Sequence, residues 1–305
     1  MRIVSSFSEA RSAAMEAYHP SGGEEGPAPI GLVPTMGFLH EGHLSLISRA
    51  RRECKVVTMS LYVNPRQFNV SSDFDRYPRS FERDCQLAAE AGVDILFAPS
   101  TSEMYESTES TAIHPGRVAR IMEGTRRPGH LEGVALVVTK LLAGLGAQRT
   151  YFGRKDAQQL TMIRRMARDL RFPIEIVGCP TIRESDGLAL SSRNTLMSAN
   201  ERETALDISR GLWAAALAAE GGELSAEDLR RAVTADRDRV GWEYVELADQ
   251  EDASLLDTLD RPSFLAAAAW VGDVRLIDNV FFDMGSDGLA VDRGILLEGP
   301  SLLYR

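Results

Sequence analysis

The sequence has 305 residues, 44% of them apolar, and carries a formal net charge of −10 at pH 7. This length and apolar content are sufficient for one large domain or two modest ones. The acidic balance argues against sequence-independent binding of nucleic acid, because such binding needs many basic contacts to phosphates.

The first part of the chain alternates between apolar runs typical of buried strands and segments of helical periodicity. A capping-box spacing between Ser6 and Glu9 predicts an earlier helix that runs to about Tyr18. The Pro- and Gly-rich residues 20–29 then predict a surface loop. The predicted strands cover residues 30–33, 56–63, 93–97, 150–152 and 174–177, and the predicted helices cover residues 44–50, 81–91, 134–145 and 157–170.

This alternation predicts an α/β fold in which helices cover both faces of a parallel sheet. The pattern changes after about Thr181, where Ser198 and Ser225 are each placed to cap a helix. Residues 244–247, 266–271 and 274–278 are predicted to be strands of a separate small sheet. We therefore predict one domain over residues 1–181 and a smaller C-terminal α+β lid domain over residues 182–305.

Residues 34–43, PTMGFLHEGH, lie where the first strand of this pattern meets the next helix. They place two histidines, His40 and His43, at a helix N-terminus, where backbone N–H groups and the helix dipole attract anions. The sequence therefore predicts a phosphate site. It lacks the glycine-rich runs of the P-loop and of dinucleotide-binding proteins. Histidines stand in place of the P-loop lysine, which suggests contact with an α-phosphate in a transition state.

Two alternatives remain for these histidines. A zinc protease site would need two histidines four residues apart on a formed helix. Here they are three apart with Gly42 between them, and no nearby cluster supplies a third ligand. A pair of ordinary loop histidines is the other alternative.

Four further segments carry polar residues next to predicted elements. Asn64 and Gln67 could offer neutral amides to a ligand, although ordinary turn chemistry explains them as well. Arg127 could clamp a phosphate from a loop, or the loop could simply be basic. Residues 153–159 place a cation and a carboxylate at a helix start, where Asp156 could also be only a cap. Residues 183–194 could close over a nucleotide.

Two global features bear on the location of the protein. The cysteines Cys54, Cys85 and Cys179 are odd in number and far apart, unlike a disulfide framework or a cysteine-rich metal site. We therefore expect reduced thiols and a cytoplasmic protein. No run of about eighteen apolar residues occurs, so we expect no transmembrane helix and no membrane partner.

Taken together, the motifs resemble those of the pantoate–β-alanine ligase family. They occur in order over nearly the whole chain, and this order is more specific than any one motif. The matching segments are PTMG…HEGH at 34–43, NPRQF at 64–68, EG…RPGH at 123–130, FGRKDAQQL at 152–160, DG…SSRN at 186–194 and RLIDN at 275–279.

The resemblance implies a reaction in two steps. ATP first adenylates the carboxylate of pantoate and releases pyrophosphate, and the amine of β-alanine then displaces AMP to form the amide. The implied fold is that of the class I nucleotidyltransferase superfamily, a Rossmann-like domain with a C-terminal lid. The resemblance also implies ATP with Mg²⁺ as the substrate complex, no tightly bound cofactor and a homodimer. It names no metal ligand among the side chains.

Residue roles follow from the same resemblance. His43 would be the catalytic proton donor, and His40 would help it to stabilise charge on the ATP phosphates. Gln67 and Gln159 would bind pantoate, Gln67 would also contact β-alanine, and Arg127 would add a phosphate contact. The implied ATP-binding residues are Met36, Gly37, His40, His43, Gly153, Lys155, Asp156, Ile182, Leu190, Ser191, Ser192 and Arg193.

Arg154 and Leu131 depart from the family pattern, which commonly has Glu and Phe at these positions. We expect neither departure to affect the chemistry.

Two other classes of function remain open at this point. A nucleotidyltransferase acting on a phosphorylated substrate would share the histidine motif but would want a cation-rich acceptor pocket. A non-catalytic nucleotide-binding module would not need the amides of Gln67 and Gln159.

Overall fold

The computed structural model describes residues 1–18, 29–69, 71–285 and 288–304. The predicted loop at 20–29 therefore lies outside the described residues, except for its last position. The chain forms two compact units. The first unit comprises Met1–Phe152 and Met162–Cys179, and the second comprises Gly153–Thr161 and Pro180–Arg305. The sequence had assigned residues 153–161 to the first domain, whereas in the structure they group with the second unit.

A six-stranded parallel sheet forms the centre of the first unit, with the strand order β1-β4-β3-β2-β5-β6. Its strands are β1 (Arg2–Val4), β2 (Ile30–Thr35), β3 (Val56–Leu61), β4 (Ile95–Phe97), β5 (Arg149–Gly153) and β6 (Glu175–Cys179). The helices along this part of the chain are α1 (Phe7–Tyr18), α2 (Glu41–Glu53), α3 (Ser71–Arg76), α4 (Phe81–Glu90), α5 (Thr101–Met104), α6 (Met122–Arg126), α7 (His130–Gly144) and α8 (Ala157–Asp169).

The sheet is buried on both faces along its central strands. Residues 30–33 of β2 and 56–60 of β3 are buried without interruption, as expected for a parallel sheet covered by helices. A Cβ atom at Gly31 would lie 2.8 Å from Cys54 Sγ, so this close packing against β2 requires glycine. The predicted parallel α/β sheet is confirmed.

The strand order reverses at β2, because β3 and β4 lie on one side of it and β5 and β6 on the other. In open parallel sheets, ligands bind beyond the carboxyl ends of the strands at such a reversal. The histidine motif directly follows the carboxyl end of β2. The topology of the first unit therefore indicates a ligand site at this turn.

The second unit contains a four-stranded antiparallel sheet with the order β11-β10-β9-β8 and a parallel pair, β12-β7. The strands are β7 (Ile182–Arg183), β8 (Gly241–Asp249), β9 (Ser263–Val271), β10 (Val274–Gly285), β11 (Gly288–Asp292) and β12 (Ile295–Leu296). The helices are α9 (Ala199–Glu220) and α10 (Ala226–Thr234).

Helix α9 supplies much of the apolar core of this unit and packs with α10 against the antiparallel sheet. Ser198 accepts the N–H of Glu201 in a reciprocal capping box, and Ser225 caps α10, as the sequence predicts. The separate C-terminal sheet is confirmed. No described helix is long and apolar enough to cross a membrane.

The second unit contains a fully buried charge, the guanidinium of Arg183. This guanidinium forms two hydrogen bonds with the Asp278 carboxylate, at 2.7 and 2.9 Å. It also donates to the carbonyl oxygens of Gly187 and Asn279, both at 3.1 Å. This pair ties β7 to β10 inside the unit.

Replacing Arg183 by Leu should lower the free energy of unfolding by about 3–5 kcal/mol, because the Asp278 carboxylate would stay buried without its partner. Urea denaturation measures this change. The control is Arg2→Leu, which breaks an ion pair with Glu16 in which both side chains are more than half exposed. That change should cost less than about 1 kcal/mol. Similar losses for both variants would contradict the prediction.

Candidate active site

Two histidine rings cap the N-terminus of helix α2. His40 is the N-cap residue, and its Nδ1 accepts the backbone N–H of Gly42 at 3.1 Å. In return, Nδ1 of His43 accepts the backbone N–H of His40 at 3.3 Å. The pair thus forms a capping box built from imidazoles, where Ser or Thr with Glu is usual.

The capping hydrogen bonds determine where each ring carries its proton. Because both Nδ1 atoms accept backbone N–H groups, the neutral form of each ring carries its proton on Nε2. The two ring centroids are 4.1 Å apart, so both Nε2–H donors lie at the N-terminal end of α2. His40 is buried and His43 is half-buried. Together with the helix dipole, this arrangement suits an anion such as phosphate.

The zinc alternative finds no support in the part of the chain that the structure describes. There, no group of three or more His, Cys, Asp or Glu side chains is placed to hold a metal ion. The Nδ1 atoms of both histidines are already occupied by the helix cap. The capping role equally distinguishes them from ordinary loop histidines.

A buried carboxylate holds the turn that precedes His40. Asp84, on α4, is 1% exposed and accepts the N–H groups of Phe38 at 2.8 Å and Leu39 at 2.7 Å. Gly37 and Phe38 both have positive φ, at 86° and 53°, a conformation that directs successive N–H groups to one side. Arg83 donates to the carbonyl of Leu39 at 2.9 Å. Helix α4 therefore grips this turn from two adjacent residues.

Glycine at position 37 has a clear steric reason. A Cβ atom there would lie 2.8 Å from Asp84 Oδ2, and the positive φ disfavours any other residue. The turn therefore explains why position 37 is glycine, and the ATP contact of Gly37 stays a prediction.

Three predicted site residues of the first unit lie in one hydrogen-bonded group. Gln67 is 9% exposed, and its Nε2 lies 2.8 Å from Sδ of Met36. His130 donates from Nδ1 to the backbone carbonyl oxygen of Gln67 at 2.7 Å. The Nε2 atom of His130 lies 3.2 Å from Nη1 of Arg127. Arg127 also pairs with Glu123 at 3.7 Å. The loop at 123–130 is thereby linked to Gln67.

The remaining predicted ATP residues belong to the second unit. Strand β5 ends at Gly153, and a single 3-10 turn, Arg154–Asp156, leads into α8. The side-chain amide of Asn279 donates to the carbonyl of Arg154 at 3.0 Å and to that of Lys155 at 2.7 Å. The turn that carries Lys155 and Asp156 is therefore held by β10.

Arg154, which departs from the family pattern, pairs with Asp292 at 2.8 Å. The chain thus supplies an acidic partner for the basic residue at this position. Leu131, the other departure, is buried in the core of the first unit.

A compact loop follows β7. The N–H of Leu190 donates to the carbonyl of Ile182 at 2.9 Å, and Ser191 Oγ accepts the N–H of Arg193 at 3.2 Å. Asn194 donates to Glu184 at 2.9 Å from inside the loop. Ser191, Ser192 and Arg193 themselves are half-buried. This loop and the turn at 154–156, together with Gln159, lie in the second unit, whereas the histidines and Gln67 lie in the first.

Comparison with known proteins decides the family. A sequence model of the family described as pantoate-beta-alanine ligase matches residues 2–281. The chain belongs to the pantoate–β-alanine ligase family. It is therefore an amide-forming ligase that joins pantoate to β-alanine, and the resemblance drawn from the motifs is confirmed. This membership argues against the two other classes of function.

Relatives in sequence match almost the full length of this ligase. Pantothenate synthetase of Thermotoga petrophila is 44% identical over 282 residues, which cover 92% of this chain and 99% of the relative. The enzyme of the same name from Moorella thermoacetica is 46% identical over 260 residues, 84% of this chain and 91% of the relative.

Solved structures resemble this ligase as well. Pantothenate synthetase from Thermus thermophilus is 42% identical, with a TM-score of 0.82 over 92% of this chain and 98% of that one. Pantoate-beta-alanine ligase from Francisella tularensis, described as complexed with beta-gamma ATP and beta-alanine, is 34% identical. Its TM-score is 0.70, over 92% of this chain and 97% of that one.

Sequence analysis missed Asp84 and Tyr105. Asp84 falls within a predicted helix, where an acidic residue usually faces solvent, and its burial depends on contacts 45 and 46 residues away. Tyr105 lies beyond the motifs and donates to Asn64 from 41 residues away. The single available signal was the conspicuous Gly37, which indicates a special turn but not its partner.

Replacing Asp84 by Asn should reduce kcat about 10–100-fold, since an amide cannot accept both turn N–H groups and the histidines would shift. The Michaelis constants should change much less. Steady-state kinetics, with circular dichroism to verify the fold, measures this effect. Glu82→Gln, a change at an exposed position of the same helix, is the matched control and should leave kcat unchanged. An unaltered kcat in Asp84→Asn would show that the turn does not depend on this carboxylate.

Proposed function

We propose that this ligase activates pantoate as an acyl adenylate and then transfers the pantoyl group to β-alanine. In the first step, a pantoate carboxylate oxygen attacks the α-phosphorus of ATP and pyrophosphate leaves. In the second, the neutral amine of β-alanine attacks the acyl carbon, AMP leaves with the bonding electron pair, and the new amide nitrogen releases one proton. Two findings support this order of reaction steps: the family membership, and the Francisella tularensis relative, which is described as complexed with ATP and β-alanine.

The observation that carries the proposal is the imidazole capping box of α2. Negative charge grows on the α-phosphate oxygens as the carboxylate attacks and the pyrophosphate departs. Two Nε2–H groups at a helix N-terminus, held by their own capping bonds, are oriented before the reaction begins. Such preorganised donors are typically a large part of catalysis. We assign the proton-donor role to His43 and a supporting role to His40.

Polar residues of both units suit the other substrates. Neutral amides, from Gln67 and Gln159, match the hydroxyl and carboxylate groups of pantoate, and Gln67 would also contact β-alanine. Met36 would line the junction between nucleotide and pantoate. In the second unit, we assign ATP binding to the turn at 153–156 and to the loop at 182–193, and Arg127 of the first unit would add a phosphate contact.

We further propose that Mg²⁺ enters as part of the ATP substrate. Mg²⁺ usually retains water and binds through phosphate oxygens with one or two carboxylates, and does not need a cage of side chains. No tightly bound cofactor is required by this chemistry. A homodimer, a cytoplasmic location and a lid role for residues 182–305 complete the proposal.

Isotope exchange tests the first step. Labelled pyrophosphate should enter ATP only when pantoate is present, and β-alanine should not be needed. The control replaces pantoate by a phosphate ester of similar size. Exchange without any acid, or exchange supported by the phosphate ester, would overturn adenylation of pantoate.

The histidines can be tested without loss of the helix cap. In His40→Asn the side-chain oxygen can still cap α2, and in His43→Gln it can still complete the capping box. Both variants lose the imidazole N–H, and the amide that replaces it cannot transfer a proton at neutral pH, so adenylate formation in a quenched-flow experiment should slow about 100–1,000-fold. Their unfolding midpoints should stay near that of the wild type.

The matched control is Ser198→Ala, which removes the cap of α9 but no residue of the proposed site. It should lose about 1 kcal/mol of stability while adenylate formation is unchanged. Adenylate formation at the wild-type rate in both histidine variants would rule out the assigned roles.

A further inference from the structure

A line of buried polar side chains connects Tyr105 to Gln67. The Tyr105 hydroxyl donates to Oδ1 of Asn64 at 2.8 Å, and Nδ2 of Asn64 donates to Oε1 of Gln67 at 3.2 Å. Nε2 of Gln67 then lies 2.8 Å from Sδ of Met36. Tyr105 is 8% exposed and Asn64 is 1% exposed, so water has little access to these hydrogen bonds.

Backbone groups fix the direction of this line. Oδ1 of Asn64 also accepts the N–H of Arg66 at 3.2 Å, and Nδ2 also donates to the carbonyl of Gly133 at 3.1 Å. A flipped Asn64 amide would set its N–H group against the N–H of Arg66 and its oxygen against the carbonyl oxygen of Gly133. Consequently, Oε1 of Gln67 is used as an acceptor inside the protein, and Nε2 is its donor end.

We propose that Tyr105 is a positioning residue that acts through Asn64 to hold Gln67 in one amide orientation, so that Gln67 meets pantoate as a hydrogen-bond donor to an oxygen atom. This inference rests on the proposed binding of pantoate by Gln67 and adds the direction of that contact. It implies that Gln67 contacts a carboxylate or hydroxyl oxygen of pantoate through its amide N–H groups.

Tyr105 is suited to this role because its ring and its hydroxyl are held separately. The guanidinium of Arg66 lies 4.0 Å from the ring centroid, and Nζ of Lys140 lies 5.4 Å from it. Both cations pair with Glu109, at 3.6 and 3.3 Å. Burial raises the pKa of Tyr105, so the hydroxyl remains a donor at neutral pH. Phenylalanine at this position would keep the ring contacts and lose only the hydroxyl.

The first test compares two tyrosines. Tyr105→Phe should raise KM for pantoate about 3–10-fold, as loss of one buried hydrogen bond would. KM for ATP and kcat should stay within about twofold, because neither the histidine cap nor the second unit is touched. Tyr62→Phe is the matched control: its ring is also buried and its centroid lies 6.3 Å from that of Tyr105, but its hydroxyl contacts Thr101 instead. It should leave all three constants unchanged.

A merely structural role for Tyr105 predicts a different outcome. It would change kcat and both Michaelis constants together, with a lower melting temperature. Such a uniform loss, or an unchanged KM for pantoate in Tyr105→Phe, would overturn the inference.

The second test addresses the direction of the Gln67 amide, using pyrophosphate exchange without β-alanine. Gln67→Glu would turn an ionised acceptor toward a pantoate oxygen, whereas Gln67→Met would offer no polar atom. At pH 8 the Glu variant should therefore show a KM for pantoate several-fold higher than the Met variant. Towards pH 5.5 this difference should shrink, because a protonated Glu regains a donor. Equal constants at pH 8, or stronger binding by the Glu variant there, would overturn the donor assignment.

These outcomes are separable from failure of the proposed function. If the wild type shows no pantoate-dependent exchange, the proposed function is wrong. If the wild type does show it and Tyr105→Phe binds pantoate normally, only the present inference is wrong.

Discussion

The backbone N–H groups at the start of a helix must find acceptors, and in α2 two imidazoles supply them. The rest of the first unit's site depends on this interaction. It sets which nitrogen of His40 and His43 holds the proton, and it directs the other nitrogen away from the cap. The left-handed turn at Gly37 and Phe38 and its buried partner Asp84 bring the chain from β2 to this helix start. Local folding and catalytic chemistry are thus parts of the same hydrogen-bond arrangement.

In the second unit, two neighbouring residues of β10 likewise hold two separate segments by hydrogen bonds. Asp278 binds Arg183 of β7, next to the loop proposed to contact ATP. Asn279 holds the carbonyls of Arg154 and Lys155 in the turn after β5. This contact explains why residues 153–161 group with the second unit although they continue a strand of the first sheet.

Apolar periodicity was sufficient to predict the parallel sheet, because its central strands are buried on both faces and therefore continuously apolar. It failed for β1, which has three residues, one of them buried, and so shows no pattern. The motifs predicted the histidines and Gln67 but not the contacts that orient them. Asp84 and Tyr105 act on residues about forty positions away, a distance over which no local pattern carries information. The imidazole cap was missed because helix caps are ordinarily Ser, Thr, Asp or Asn.

The imidazole cap also limits which residues can replace the histidines. Lysine and arginine are frequent phosphate ligands, but neither carries a lone pair that could accept a backbone N–H. Serine or aspartate could accept it, yet neither would keep a nitrogen-bound hydrogen on the far side. Asparagine and glutamine carry both an acceptor and a donor, but their amides cannot exchange a proton at neutral pH as an imidazole can. A substitution at either position can therefore keep the helix cap and still lose the ring's donor function.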